Sequence, residues 1–197
     1  GRVRLRLSAK GENQSLLNQR IDDQIKKLYP LIGEIIVGFE EDASIEEQLQ
    51  NQFIKTNNSL AVAESCTGGK IANRFTQTPG ASGFFRGGVV AYTTDIKVNV
   101  LGISQSLINQ YSVVSAQVAE AMAVAVREQM GATIGISTTG NAGPTKGDSD
   151  ADLGTVFIAL ASNKGVVSHE FRLGKHRERV IEKAVNKVME LLHKQLF

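Results

Sequence analysis

The sequence predicts an α/β protein: a three-layer α/β/α sandwich with a mixed sheet, preceded by a small α+β segment. Three observations predict it. From residue 60 onward, short apolar runs of strand length alternate with segments of helical period. The runs 154–160 and 166–171 flank Ser162-Asn163-Lys164-Gly165, a hairpin turn that adds an antiparallel pair to strands otherwise linked through helices. Ahead of residue 43 the order is strand, helix, strand, with no such alternation.

In the first part, residues 3–7 (VRLRL) alternate strictly, which places Val3, Leu5 and Leu7 on one face and Arg2, Arg4 and Arg6 on the other. Gly11 and Asn13 end that pattern. Leu16, Leu17, Ile21, Ile25 and Leu28 then recur at helical spacing, and Pro30 is expected to stop the helix. Ile35 to Phe39 is a second short strand. Ser44 stands three residues before Glu47, the spacing of a capping box, and opens a helix with Ile45, Leu49 and Phe53 on one face. The boundary is set at residues 1–43 and 44–197. In the second part, strands are predicted at 60–63, 87–92, 133–137, 154–160 and 166–171. Helices are predicted at 68–75, at 104–110, after Ser115 with Val118, Met122, Ala125 and Met130 on one face, and at the end with Val180, Ala184, Val188 and Leu191 in one stripe. The loop 143–152 is the longest gap, and its composition suggests mobility.

Composition excludes several classes. A chain of 197 residues with 42% hydrophobic and 21% charged residues is an ordinary globule that can bury a core without staples. A net charge of +2 does not advertise nucleic-acid binding. One cysteine excludes an internal disulfide and a thiolate-rich metal site, and fits a reducing cytoplasm. No run approaches the roughly 18 apolar residues of a membrane span, and the start has no signal-peptide pattern. A strand pattern begins at once, so the chain reads as the middle of something longer.

Chemistry-bearing residues gather where strands end. In Ala61-Val62-Ala63-Glu64-Ser65-Cys66-Thr67-Gly68-Gly69-Lys70, an apolar run stops at a carboxylate, a hydroxyl and a thiol. A phosphate-binding P-loop fails at both ends, because its leading glycine falls at Glu64 and its Ser/Thr at Ile71. Ser65 or Thr67 can simply cap the helix. Alternatively, the junction lies in the cleft at the carboxyl end of a sheet, where the N–H groups of Cys66, Thr67, Gly68 and Gly69 hold an anion or a developing oxyanion. Ser65 is then a candidate nucleophile beside Cys66, and the two glycines let a ligand approach the backbone. The second junction runs through Tyr92, Thr93, Thr94 and Asp95 to Lys97. No histidine has a triad motif around it, so a Ser–Lys pair is the economical arrangement, with Lys97 or Lys70 as the base if burial lowers its pKa. The third, Ser137-Thr138-Thr139-Gly140-Asn141-Ala142-Gly143-Pro144, offers hydroxyls and N–H groups to a phosphate.

Taken in order, AESCTGG, GGVVAY with its following lysine and LGI, VS opening a helix, TTGNAGP and GTVFIAL resemble the C-terminal domain of the competence/damage-inducible CinA proteins, from about residue 46 to the end. The first part resembles the KH-like segment that precedes this domain in longer CinA proteins, and the resemblance implies a nucleotide-processing domain further upstream. It also implies a nicotinamide-nucleotide amidase, which converts nicotinamide mononucleotide to nicotinate mononucleotide and ammonia. Matched by motif, Ser65 is the nucleophile, Lys97 the base and Tyr92 a member of the site. Cys66, Thr67, Gly68, Gly69, Thr139, Gly140, Ala142 and Gly143 line the substrate, and Arg177 meets the phosphate, with Arg172 and Arg179 as alternatives. Glu64 is the candidate partner of the cationic pyridinium, or else the charge complement of a helix N-terminus. Asn141 stands where an apolar residue is expected, and loop 145–153 departs from the family pattern. No metal and no cofactor is implied. Other expectations are a cytoplasmic protein, no membrane partner, and self-association through the apolar hairpin edge Val156-Phe157-Ile158. A nucleic-acid-binding module resting on Arg2, Arg4 and Arg6 is disfavoured, since no Gly-x-x-Gly clamp accompanies them. A nucleotide sensor without turnover is the third reading.

Overall fold

A computed structural model describes residues 5–33, 36 and 43–196. The chain divides into two compact units, Arg2–Phe39 and a larger one running from Glu40 to Phe197.

In the smaller unit, helix α1 spans Gln14–Ile32, and Asn13 caps it by accepting from the Leu16 N–H. Leu17, Ile21, Ile25, Leu28 and Ile32 form a half-buried stripe at the expected spacing. Pro30 does not stop this helix but sits inside its last turn. Proline lacks the N–H that would reach the Lys26 carbonyl, so the helix continues past it at the cost of one ladder bond. The strand expected at VRLRL is absent over residues 5–7, which have no regular structure, and Val3 and Arg4 lie outside the described residues. Alternation is a side-chain pattern and does not by itself supply the backbone hydrogen bonds that a strand requires. Apart from Ile36, the expected strand Ile35–Phe39 also lies outside the described residues, as do Arg2 and the acidic run 40–42.

The larger unit is the α/β sandwich. Helix α2, Ile45–Lys55, opens on a complete capping box in which Ser44 Oγ accepts from the Glu47 N–H and Glu47 accepts from the Ser44 N–H. It buries Ile45, Leu49 and Phe53. Then come strand β1 (Leu60–Glu64), α3 (Lys70–Thr76), β2 (Phe85–Val90), α4 (Thr94–Asn99), α5 (Gln105–Tyr111), α6 (Ala116–Gln129), β3 (Ile134–Gly140), β4 (Thr155–Ser162), β5 (Gly165–Arg172) and α7 (Arg177–Leu196). The five strands lie in the order β2-β1-β3-β4-β5. β1 pairs in parallel with β2 and β3, whereas β3–β4 and β4–β5 are antiparallel, so the sheet is mixed. β1, paired on both sides and fully buried, reads as an apolar run up to Glu64 for that reason.

Helix α6 crosses one face, in contact with β1, β3, β4 and β5. Its buried Val118, Ala119, Met122, Ala123 and Val126 pack on that face. The approach is close enough that a Cβ at Gly135 would meet the Ala123 carbonyl at 2.1 Å. Helices α2, α3 and α7 form the third layer. There Phe53 stacks on Phe84 at 5.0 Å, and Phe75 meets Phe84 edge-on at 5.7 Å. In α7 the buried stripe is Val180, Ala184, Val188 and Leu192, so Leu192 rather than Leu191 faces the core. The hairpin edge Val156-Phe157-Ile158 is not an edge. β4 lies between β3 and β5, Val156 and Ile158 are wholly buried, and the hairpin's edge strand is β5, with Val166 and Val167 exposed.

Candidate active site

β1 is flanked on both sides by parallel strands whose carboxyl ends lie at the same edge of the sheet. A chain leaving a strand there enters the cleft position of an open α/β sheet. The Ser65 N–H still donates to the Thr138 carbonyl at 3.0 Å, so Ser65 prolongs the pairing by one residue before the chain turns.

The turn is built by Glu64. Its carboxylate, on a residue 1% exposed, accepts from the N–H groups of Gly69 (3.0 Å), Ile71 (3.1 Å) and Ala72 (2.8 Å). The strand's last side chain thus caps the following helix. Neither Ser65 nor Thr67 does so, and Gly69, the cap residue, has φ 93°, a left-handed conformation that favours glycine. Glu64 is therefore the charge complement of the α3 N-terminus, and the expectation that it faces a pyridinium is corrected: both its oxygens are spent on amides. A buried carboxylate with three such bonds is worth several times a surface cap. Glu64→Ala is expected to lower stability by about 3 kcal/mol in denaturant titration. A loss under about 0.5 kcal/mol would show that the cap is dispensable.

The amides expected to face the cleft are accordingly divided. Gly69 N–H is held by Glu64, and Gly68 N–H donates to the Ser65 carbonyl at 3.1 Å. Among the described residues the Thr67 N–H has no protein acceptor, and the Cys66 N–H reaches only its own sulfur. They are the two donors available beside Ser65.

Lys97 closes the site from the second junction. It lies on the short helix α4, which is not among the predicted helices, and is 2% exposed. Its Nζ is 3.1 Å from Ser65 Oγ, 2.8 Å from the Ala91 carbonyl and 3.4 Å from the Tyr92 carbonyl. Burial pulls its pKa below the ordinary lysine value, and the Cys66 and Asp148 sites partly oppose that fall. Lys70, the other candidate base, instead pairs with Glu182 at 2.6 Å on the surface. The neighbouring thiol is no rival to Ser65, because burial pushes Cys66 up to about 12.

The third junction supplies a wall. Along β3 the hydroxyls alternate between faces, as a strand requires. Thr138 meets Thr67 at 2.8 Å, whereas Ser137 and Thr139 donate to the carbonyls of Ala119 and Val113. Thr139 is 1% exposed, and its proton fixes the segment before α6. Gly140 lies against β4, where a Cβ would meet the Thr155 carbonyl at 2.6 Å. Ala142 and Gly143 are buried. Asn141 uses both ends of its amide. Its Nδ2 donates to the Ala151 carbonyl and its Oδ1 accepts from the Gly147 N–H, which clamps the following loop.

Arg177, at the start of α7, donates to the Gly143 carbonyl at 2.9 Å and to the Tyr92 hydroxyl at 2.8 Å. It joins the second and third junctions and is exposed. Arg172 is committed elsewhere, to Asp152, Glu170 and Thr155. The structure thus brings Ser65, Lys97, Tyr92, Gly143 and Arg177 into one connected set. The sequence names Thr138 only among the hydroxyls of the third junction and gives no sign of its register with Glu64, its bond to Thr67, or the acceptor role of the Ala91 and Tyr92 carbonyls. No group of three or more His, Cys, Asp or Glu suited to a metal ion occurs among the described residues. No helix among them is long and apolar enough to cross a membrane.

The sequence model of the family described as CinA C-terminal domain matches residues 42–196. A CinA-like protein of Flavobacterium psychrophilum is 50% identical over 196 residues, covering the whole of this chain and 47% of the relative. A CinA-like protein of Cytophaga hutchinsonii is 36% identical over the same share of each. The chain spans about half the length of these curated relatives. Among solved structures, a competence or damage-inducible protein from Enterobacter asburiae superposes with a TM-score of 0.75 at 27% identity, over 78% of this chain and 96% of that one. A CinA superfamily protein from Escherichia coli gives 0.72 at 29%, over 83% and 98%.

Proposed function

Since the chain belongs to the CinA C-terminal domain family, we propose that its larger unit is an amidohydrolase that deamidates nicotinamide mononucleotide through a Ser65 nucleophile and a Lys97 base. The observation that carries this reading is the contact of 3.1 Å between Ser65 Oγ and a lysine amine removed from water. A neutral amine has two N–H groups and one lone pair. The Ala91 and Tyr92 carbonyls take the two N–H groups, which leaves the lone pair for the Ser65 hydroxyl proton.

The steps balance with these groups alone. Ser65 Oγ attacks the carboxamide carbon as its proton passes to Lys97 Nζ. The carbonyl oxygen becomes an oxyanion, for which the Cys66 and Thr67 N–H groups are the available donors. The C–N bond breaks and ammonia leaves with the proton returned by Lys97. Water, deprotonated by the same amine, then hydrolyses the Ser65 ester and releases nicotinate mononucleotide. Arg177 has donors left beyond its two bonds and is exposed, which suits a phosphate at the rim.

The test is ammonia release from a panel of pyridine nucleotides without added metal. Nicotinamide mononucleotide is expected to turn over, and the riboside, lacking the phosphate, to have a kcat/KM lower by about tenfold or more. Arg177→Ala is expected to remove that preference by weakening the mononucleotide alone. Absence of ammonia from every member of the panel would end this reading.

A further inference from the structure

With Glu64 committed to the α3 N-terminus, the proposed site lacks the carboxylate that a cationic ring calls for. A second carboxylate occurs where none was expected. The loop after β3 is held on both sides of Asp148 by one side chain, since Asn141 accepts from the Gly147 N–H and donates to the Ala151 carbonyl. So held, the Asp148 carboxylate stands 3.5 Å from Thr94 Oγ1 in the first turn of α4, one turn ahead of Lys97.

A cavity of about 570 Å³ opens there, lined among others by Thr94, Asn109, Ser112, Val113, Asp148 and Asp150. That volume is in the range of small-molecule sites. The Ser112 Oγ is shielded from solvent and has no hydrogen-bond partner among the described residues. The lining carries two carboxylates and no lysine or arginine, so it repels phosphate and favours a positive group. The guanidinium of Arg177 belongs to the separate Tyr92–Gly143 contact. Neither Ser65 nor Lys97 lines this cavity; what ties its carboxylates to the base is Thr94, which bonds Asp148 and lies one turn ahead of Lys97 on α4, whereas Arg177 stands at the α7 end.

We propose that Asp148 is a specificity-determining residue that selects amides whose ring bears a positive charge. This rests on the amidase reading and deepens it. The carboxamide is bonded directly to the pyridinium ring, so a carboxamide carbon in contact with Ser65 Oγ brings the ring's charge to the Lys97 neighbourhood that Asp148 borders. The arrangement also serves the base. The Asp148 field favours the ammonium form of Lys97, and a cation bound between the two opposes that field. A positively charged ring thus keeps the amine neutral while it is bound, which a neutral ring does not.

The experiment compares wild type, Asp148→Asn and Asp148→Lys on two ligands. One is nicotinamide mononucleotide, read as KM. The other is its reduced form, which keeps the carboxamide, ribose and phosphate but has no ring charge, read as an inhibition constant. Asp152→Asn, the same loss of charge from the same loop at a residue paired with Arg172, is the control. The expected result is a KM raised about fivefold in Asp148→Asn and further in Asp148→Lys, weakening with added salt. The reduced form is expected to change less than twofold. Equal changes for both ligands, no change for either, or the same effect from Asp152→Asn would overturn the proposal. If no nucleotide is turned over, the amidase reading fails by itself, and the two ligands are compared by calorimetric dissociation constants. The same ranking by charge then keeps the Asp148 assignment, and no binding by the wild type removes it.

Discussion

Ser65→Ala is expected to cut ammonia release from nicotinamide mononucleotide by on the order of 10⁴-fold, with KM nearly unchanged. The loss is that large because nothing nearby replaces the hydroxyl. The adjacent Cys66 is buried and holds its proton up to about 12, so it supplies no thiolate at neutral pH. The fold is expected to survive. The Ser65 backbone bond to Thr138 is retained, and Lys97 keeps its two carbonyl acceptors. Circular dichroism and thermal melting beside the assay separate a lost nucleophile from a lost fold. The wild type should also accumulate a Ser65 ester when turnover is quenched, visible by mass spectrometry and absent from the variant. Undiminished turnover in Ser65→Ala would remove this oxygen from the chemistry.

The second large effect concerns Lys97 and pH. The amine must be neutral to take a proton, so kcat/KM should rise with pH through an ionisation below the ordinary lysine value of 10.5, in the direction burial imposes. Lys97→Arg should reduce activity by on the order of 10³-fold at every pH, because a guanidinium does not lose its proton. Stability should follow the same ionisation. The folded state binds fewer protons than the unfolded chain between the lowered value and 10.5. Stability therefore rises with pH across that window, and below it the buried ammonium is a standing cost. Lys97→Met should abolish this rise in a series of denaturation curves. A rate profile that turns at 10.5 would show that the amine is not desolvated in the working enzyme.

Much of the sandwich is legible because its strands and caps are local signals. Ser44 with Glu47, Ser104 and Ser115 all cap the helices they were expected to open. α4 escaped because six residues with β-branched and polar side chains carry no helical period. Lys97's burial is not a property of its neighbours in sequence. It follows from the Ala91 and Tyr92 carbonyls, which turn toward the amine only once β2 has ended. Glu64 misled for a related reason. A carboxylate at the end of an apolar strand looks functional, whereas its partners are amides five to eight residues later, brought back by a left-handed turn. The motif points to Arg177 among three arginines, but its contacts with Tyr92 and Gly143 depend on tertiary placement that no spacing encodes.

The extra pairing of Ser65 with β3 divides labour within the molecule. The oxygen proposed to react, Ser65 Oγ, inherits the stiffness of an interior strand, while Tyr92, Arg177 and Asp148 hang on separate exposed segments. On the proposed reading, mutation can redraw those exposed segments one at a time, and so change what is gripped, without disturbing the strand that carries Ser65.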